Sequence, residues 1–398
     1  MEFARETALL ASDEASQVLQ AALTGDPEAA LPGFTARLDD LHYRPGSEVT
    51  ALYTVTFESD GGTVTQHLLA TTADVAGAVA LVTRDDVTLR VWRHPFDPRL
   101  PGLAPACDPA TVLAWLSPPG TPAPARFDLD LLAYRPLRRA VLRARLDGDE
   151  FFLKVLRPGY DDRLAVRHSL FAEAGTSIPV ESRPGEGVLV LRRAPGVPLT
   201  ELLASGPVDP AALVGLLDSL PAGLLDLPRR PSWSDRLDFH TATAAQRLPD
   251  AAPRLAALAA GVTTILRQHR HGPEVPTHGD CYETNIFASG QGWLFIDVDN
   301  AGPGLREDDL ACALAHLAVL PLLDPEGWAR VPDTLEAWLA AFLRVVDGPD
   351  LLARTAAVLV SLIASVPVEQ GEPVLALAEA YAAHARALLD GQPPRPRR

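Results

Sequence analysis

The sequence predicts an α+β protein: two small strand-rich units in succession, then a large helical unit interrupted by one short block of strands. Three observations carry that prediction. A strand–turn–strand pattern occurs twice, about ninety residues apart. From Pro210 onward apolar residues recur at three- and four-residue spacing. Two short apolar strands then break the helical stretch between Thr277 and Ala301.

In the first unit, residues 1–120, Leu41-His42-Tyr43-Arg44-Pro45-Gly46 leads into a strand from Val49 to Phe57. A Gly61-Gly62 turn and a second strand through Leu68 and Leu69 follow. The second unit, residues 121–195, repeats the scheme. Leu132-Ala133-Tyr134-Arg135-Pro136-Leu137 precedes a strand from Val141 to Leu146, an Asp147-Gly148 turn and Phe151-Phe152-Leu153-Lys154-Val155. Asp-Gly between alternating runs is a strong hairpin signal. The two segments read as diverged copies, and only the second carries a lysine. Between them lies a Pro-rich passage, Asp97 to Arg126, with one short helix at Asp108–Leu116. Asp108 followed by Pro109 makes a good cap and first turn there. The boundary falls near Thr121-Pro122-Ala123-Pro124.

After Lys154 the pattern is helical from Asp161 to Ala174, stopped by Gly175. The turn Gly185-Glu186-Gly187, a buried strand Val188–Leu191 and a connector Arg192–Gly196 follow. The third unit, 196–390, is helical, with Leu213, Leu216 and Leu217, then Leu255, Leu258 and Val262, marking inward faces. Trp328 and Trp338 read as core. His269 and His271 have no third ligand spaced to join them and read as a solvated helix end. The tail, 391–398, is rich in Pro and Arg and is expected to be disordered.

Composition removes several function classes. At 47% hydrophobic and 22% charged residues, the chain is neither disordered nor collagen-like. The 51 acidic against 35 basic side chains give a net charge of −16, which repels phosphate backbones and argues against nucleic-acid binding. Three widely spaced cysteines, Cys107, Cys281 and Cys312, suit neither a disulfide framework nor a structural zinc site. The first residues are too polar for a signal peptide. The most apolar stretch, Thr355 to Val368, falls short of the roughly 20 residues that span a bilayer. A cytoplasmic protein without membrane or nucleic-acid partners is expected. Lys154 is the one lysine among the 35 basic residues. A high-GC genome accounts for arginine elsewhere, but not for the survivor.

The strand block reads His278-Gly279-Asp280-Cys281-Tyr282-Glu283-Thr284-Asn285-Ile286-Phe287, then, after Gly290-Gln291-Gly292, Trp293-Leu294-Phe295-Ile296-Asp297-Val298-Asp299. Each short strand borders a polar residue, which brings Asp280, Asn285 and Asp297 toward one point. Hard oxygen donors so placed suit Mg²⁺, which takes few protein ligands and fills the rest from phosphate and water. A carboxylate left uncoordinated can accept a proton from an attacking hydroxyl.

With His278-Gly279-Asp280, Asn285, Ile296-Asp297, Gly304 and Asp309-Leu310-Ala311, residues 127–390 resemble the aminoglycoside phosphotransferase and choline kinase family. The resemblance implies a two-lobed, protein-kinase-like fold with a small β-rich N-lobe, a large helical C-lobe and a cleft at the hinge. It implies Asp280 as catalytic base, Asn285 and Asp297 as Mg²⁺ ligands, and Asp309 as a structural carboxylate at a helix start. Lys154 falls where such a fold puts its ATP-phosphate lysine, with Glu173 as ion-pair partner; arginine is no equal substitute there. The turn from Arg135 to Arg139 would cover the phosphates without glycine, its main-chain amides and Arg138 or Arg139 serving instead. The connector Arg192–Gly196 would meet the adenine.

Two departures stand out. Cys281-Tyr282-Glu283-Thr284 replaces the family's usual loop, something like Leu-His-Pro-Gly, and so reshapes the acceptor pocket. The extra unit 1–120 is similar to the N-terminal cap of bacterial maltokinase-type kinases, whose members usually have Gln where this chain has Asn285. The implied function is ATP- and Mg²⁺-dependent transfer of the γ-phosphate to a hydroxyl of a small molecule: an aminoglycoside, a sugar or an amino alcohol. Asp308, Asp324, Glu326, Asp333 and Glu336 would suit a cationic acceptor, though a solvated acidic surface explains the same residues and is the preferred reading. The alternative is a non-catalytic, nucleotide-binding pseudokinase with a regulatory or partner-binding role.

Overall fold

Alternation of apolar and polar residues builds two five-stranded antiparallel sheets in the first half of the chain, and three- to four-residue periodicity builds the helices of the second. The computed structural model describes residues 4–26, 28–44, 48–77, 80–84, 87–117, 120–122, 124–268, 272–290 and 292–391. Pro45-Gly46 of the first repeat, His269, His271, Gln291 of the predicted turn and the tail beyond Gly391 lie outside them.

Helices α1 (Ala4–Leu10) and α2 (Ala15–Thr24) precede strands β1 (Thr35–Arg44), β2 (Glu48–Ser59), β3 (Gly62–Thr71), β4 (Ala80–Arg84) and β5 (Val87–Arg93). Short helices α3 (Leu103–Ala106) and α4 (Pro109–Leu116) follow. Asp108 caps α4 as expected, accepting the Thr111 amide at 2.9 Å. The second sheet contains β6 (Phe127–Arg135), β7 (Arg139–Leu146), β8 (Asp149–Leu156), β9 (Val180–Gly185) and β10 (Val188–Arg192), with helix α5 (Tyr160–Glu173) between β8 and β9. The strand orders are β1-β2-β3-β5-β4 and β6-β7-β8-β10-β9, so the two sheets share one topology. The first sheet packs Val49, Ala51, Tyr53, Val55 and Leu68 against Leu10 and Leu19 of α1 and α2. The second packs Phe151, Leu153 and Val155 against Leu103 and Ala106 of α3 and Val112 of α4.

Because α3 and α4 come from the linking passage and complete the second sheet's core, the two sheets fall into one compact unit. That unit comprises Met1–Ala165 with Val180–Arg193; the other comprises Val166–Pro179 with Ala194–Arg398. The sequence-based division into 1–120 and 121–195 thus cuts through one unit, and the boundary between the two observed units passes within α5.

The joint between the sheets is the β6–β7 turn. Pro136 and Leu137 occupy its centre, the Arg138 amide donates to the Arg135 carbonyl at 3.0 Å, and Leu137 has φ 62°. Proline second and positive φ third is the pattern of a type II turn, where glycine is usual. A leucine there costs about 1–2 kcal/mol. Its side chain is 1% exposed and packs among Leu69, Ala73, Val75 and Trp92 of the first sheet's side, a burial that contributes about 1.5–3 kcal/mol. The two effects offset each other.

The second unit contains β11 (Val197–Pro198), α6 (Leu199–Ser205), α7 (Pro210–Asp218), α8 (Leu237–Arg247), α9 (Ala252–Gln268) and β12 (Val275–Thr277). These precede β13 (Ile286–Ser289), β14 (Gly292–Phe295), β15 (Gly302–Gly304), α10 (Arg306–Leu323), α11 (Val331–Phe342), α12 (Gly348–Leu362) and α13 (Gly371–Gly391). The apolar stretch beginning at Thr355 belongs to α12, the buried central helix whose Leu352, Ala356, Leu359 and Val360 pack with Leu255, Val262 and Val374. Among the described residues no helix is long and apolar enough to cross a membrane. Trp338 is core, its Nε1 donating to the Val208 carbonyl at 2.8 Å, whereas Trp328 is only half-buried. The three cysteines are free thiols.

Arg354 on α12 ties the helices together at their polar end. Its Nε donates to Asp350 at 2.9 Å, and one Nη donates to Asp308 at 2.7 Å and to Ser234 Oγ at 2.8 Å. Asp308 lies in the first turn of α10, so this network anchors the start of that helix. Arg354→Met would leave two carboxylates buried without their cation. Chemical denaturation should show a loss of about 3–5 kcal/mol; a loss below 1 kcal/mol would refute the anchor.

Candidate active site

The strand block of the second unit is held from below by one carboxylate. Asp309, in the first turn of α10 and 1% exposed, accepts the His278 amide on one oxygen and the Gly279 amide on the other, both at 2.8 Å. Burial pushes its carboxyl up to about 7, against the opposing pull of those two donors. His278 is fully buried, stacked on Phe295 at 4.3 Å, with Nε2 3.0 Å from the Ile296 carbonyl. It joins the two halves of the block as scaffold. Gly279 has φ 83°, and a Cβ on it would lie 2.8 Å from the Asn300 carbonyl oxygen, so only glycine fits.

This bend delivers Asp280. One of its oxygens accepts from the Asn300 side-chain amide, while Oδ1 has no hydrogen-bond partner among the described residues. The carboxyl is pushed up to about 6, chiefly by burial and further by the negative charges of Asp297 and Asp299; the Asn300 bond and the charge of Arg236 oppose this. A half-buried carboxylate with one oxygen anchored and the other buried without a hydrogen-bond partner is a candidate general base.

Asn285 is buried, and its Nδ2 donates to the Asp280 carbonyl at 3.0 Å. A carbonyl only accepts, so this bond sets the amide's orientation and leaves Oδ1 as the group for a cation. The Ile296 amide donates to the Asn285 carbonyl at 2.9 Å, tying the two predicted ligand segments together. Asp297 follows at once, with φ 55° and ψ 52°, a left-handed conformation rare for a residue with a side chain. A carboxylate and an amide oxygen form a hard donor set that fits Mg²⁺ and leaves room for phosphate and water. Arg167 of α5 supports the far side, its Nε donating to the Ala301 carbonyl at 2.8 Å.

The loop that departs from the family has its own packing. Tyr282 stacks on His316 of α10 at 4.2 Å. Glu283 is buried, with Oε2 3.9 Å from His316 Nδ1. Burial pushes Glu283 up to about 7 and His316 down to about 4, so the two sit as neutral neighbours over much of the range between. Of the acids offered for a cationic acceptor, Asp308 is consumed by Arg354, and Asp324 accepts the Gly327 amide at 3.0 Å.

The remaining predicted residues lie as follows. Lys154 is on β8, paired with Val141 and Leu189, and alternation puts it on the face opposite the buried Phe151, Leu153 and Val155. Arg138 is exposed and Arg139 half-buried at the β6–β7 turn. All three belong to the first unit; Glu173, exposed as the last residue of α5, belongs to the second with Asp280, Asn285 and Asp297. Sequence reasoning missed Asn300. Its only signal was an asparagine soon after Asp297, which reads as ordinary turn chemistry.

Asp309→Asn should destabilise the fold, because one amide cannot replace two acceptor oxygens and about 1–3 kcal/mol is at stake. A carboxyl raised from its unfolded value near 3.9 to about 7 contributes stability below the unfolded value and loses it as pH rises through the folded one. The destabilisation relative to wild type should therefore shrink between about pH 4 and about pH 7 in urea titrations; growth over that range would contradict the buried-charge account.

The family model described as the phosphotransferase enzyme family matches residues 78–354. No curated protein matches the chain in sequence. Among solved structures, a choline/ethanolamine kinase family protein from Mesorhizobium loti is 19% identical, covering 73% of this chain and 93% of its own, with a TM-score of 0.43. A thermostable mutant of the aminoglycoside phosphotransferase APH(4)-Ia, in ternary complex with AMP-PNP and hygromycin B, is 17% identical, with coverages of 71% and 99% and a TM-score of 0.47. The choline kinase LicA from Streptococcus pneumoniae is 13% identical, with coverages of 65% and 93% and a TM-score of 0.44. With the family model spanning well over half of its length, the chain belongs to the phosphotransferase enzyme family.

Proposed function

We propose that this protein is an ATP- and Mg²⁺-dependent small-molecule kinase that moves the γ-phosphate to a hydroxyl group of an aminoglycoside, a sugar or an amino alcohol. The observation that carries the reading is Asp280: one oxygen held by Asn300, the other without a hydrogen-bond partner among the described residues, on a loop clamped by Asp309. In this reading the unpartnered oxygen orients the acceptor hydroxyl and takes its proton as the oxygen–phosphorus bond forms. Asn300 keeps the carboxylate from turning away.

Asp297 and the Asn285 amide oxygen would hold Mg²⁺, which when bound neutralises charge on the transferring phosphates. Lys154 would pair the α- and β-phosphates, with Glu173 as its carboxylate partner, and the 135–139 turn with Arg138 and Arg139 would cover them. Rate enhancement would come from positioning and charge neutralisation. A pseudokinase would be expected to have lost a base, a metal ligand or the lysine, and this chain has all of them.

A coupled assay of ATP consumption over a panel of hydroxylated acceptors tests the reading. At least one acceptor should stimulate turnover, and Asp280→Asn should lower kcat by about 10²–10⁴ with the fold retained. Background rates with every acceptor, or an unaffected Asp280→Asn variant, would defeat it. For Lys154→Arg, the KM for ATP should rise about tenfold or more, since a planar fork cannot replace a compact ammonium. Unchanged ATP use would remove Lys154 from the nucleotide site.

A further inference from the structure

Two features of the β6–β7 turn have no use inside the second sheet. Leu137 adopts a positive φ that glycine would adopt freely, and it sends its side chain out of its own sheet into a pocket of Leu69, Ala73, Val75 and Trp92. Its amide donates at 2.7 Å to Asp97, as does the Tyr134 hydroxyl, also at 2.7 Å. Asp97 is 4% exposed, and its other oxygen accepts the Arg99 amide at 2.8 Å, so this carboxylate is fixed before the turn reaches it. Every one of these holding groups outside the turn and its flanking strand comes from residues 1–120.

The first sheet has no lysine at the place equivalent to Lys154. Counting from the closing pairs Ser59–Gly62 and Leu146–Asp149, the register position of Lys154 is taken by His67. His67 lies 3.2 Å from Thr54 Oγ1 and edge-on to His94.

We infer that Asp97 and the pocket around Leu137 are positioning elements for the 135–139 turn, so that residues 1–120 serve to hold in place the segment that covers the nucleotide phosphates. The inference rests on the kinase reading above, in which this turn is the phosphate cover. A glycine-rich cover moves freely and must be ordered by the nucleotide. Here the ordering is done in advance by a buried side chain and a carboxylate acceptor, which lowers the entropy lost on binding. None of these residues need touch the nucleotide; they act through the turn's backbone.

The test is calorimetric titration of the full chain with AMP-PNP in the presence of Mg²⁺, and separately with adenosine. Asp97→Ala should weaken AMP-PNP binding about tenfold and leave adenosine binding unchanged, because only the phosphates lie under the turn. Leu137→Gly suits the turn's φ and empties the pocket, so it gives a second variant expected to fold and to show the same selective loss. Equal AMP-PNP affinity in a folded variant, or equal weakening of both ligands, would overturn the inference, the latter pointing to a purely structural role. If wild type bound no AMP-PNP, the kinase reading would fall and this inference with it. Binding by wild type with no selective loss in the variants would fell the inference alone.

Discussion

The polar site of the second unit depends on the Asp309 carboxylate taking two consecutive backbone amides. Those two hydrogen bonds make the chain bend at Gly279, and the bend aims Asp280. From there each element constrains the next. His278 reaches across to the Ile296 carbonyl, the Ile296 amide returns to Asn285, and the left-handed Asp297 turns the chain so that Asn300 comes back to Asp280. A buried carboxylate with two fixed donors is rigid, because breaking either bond strands a polar group away from water. The result is a ring of hydrogen bonds closed on Asp280, whose Oδ1 has no partner among the described residues.

Much of this was legible in the residues. The spacing of Asp280, Asn285 and Asp297, flanked by short apolar strands, already predicted that these segments come together, and Asp309 read as a carboxylate at a helix start. Asn300 was not legible. Its role comes from the backbone reversal at Asp297, a conformation that no propensity favours for aspartate and that a single sequence cannot announce. The packing of Tyr282 on His316 was hidden for a different reason: three short strands, their loops and almost three turns of α10 separate the pair, and nothing local links them.

The fold divides in the same way. The repeated strand–turn–strand pattern and the α4 cap were readable from local chemistry. Strands β4 and β5 went unread, although Val87-Thr88-Leu89-Arg90-Val91 alternates as a half-buried strand does. The domain division also shifted. Locally, residues 1–120 looked separate, but α3 and α4 supply the core of the second sheet, and Leu137 is buried in the side of the first. Asp97 is 40 residues from the amide that it accepts, a distance over which periodicity carries no information. A leucine where the first copy has Gly46 was the one visible trace of that joint.

As a kinase base, Asp280 would take the proton of a hydroxyl attacking the γ-phosphate, and product identity reads that role most directly. Mass spectrometry of the acceptor after incubation with ATP and Mg²⁺ should find a phosphate monoester with wild-type protein, and only unmodified acceptor with Asp280→Asn under the same conditions. Release of free phosphate with no esterified acceptor, or the same ester from both proteins, would contradict it.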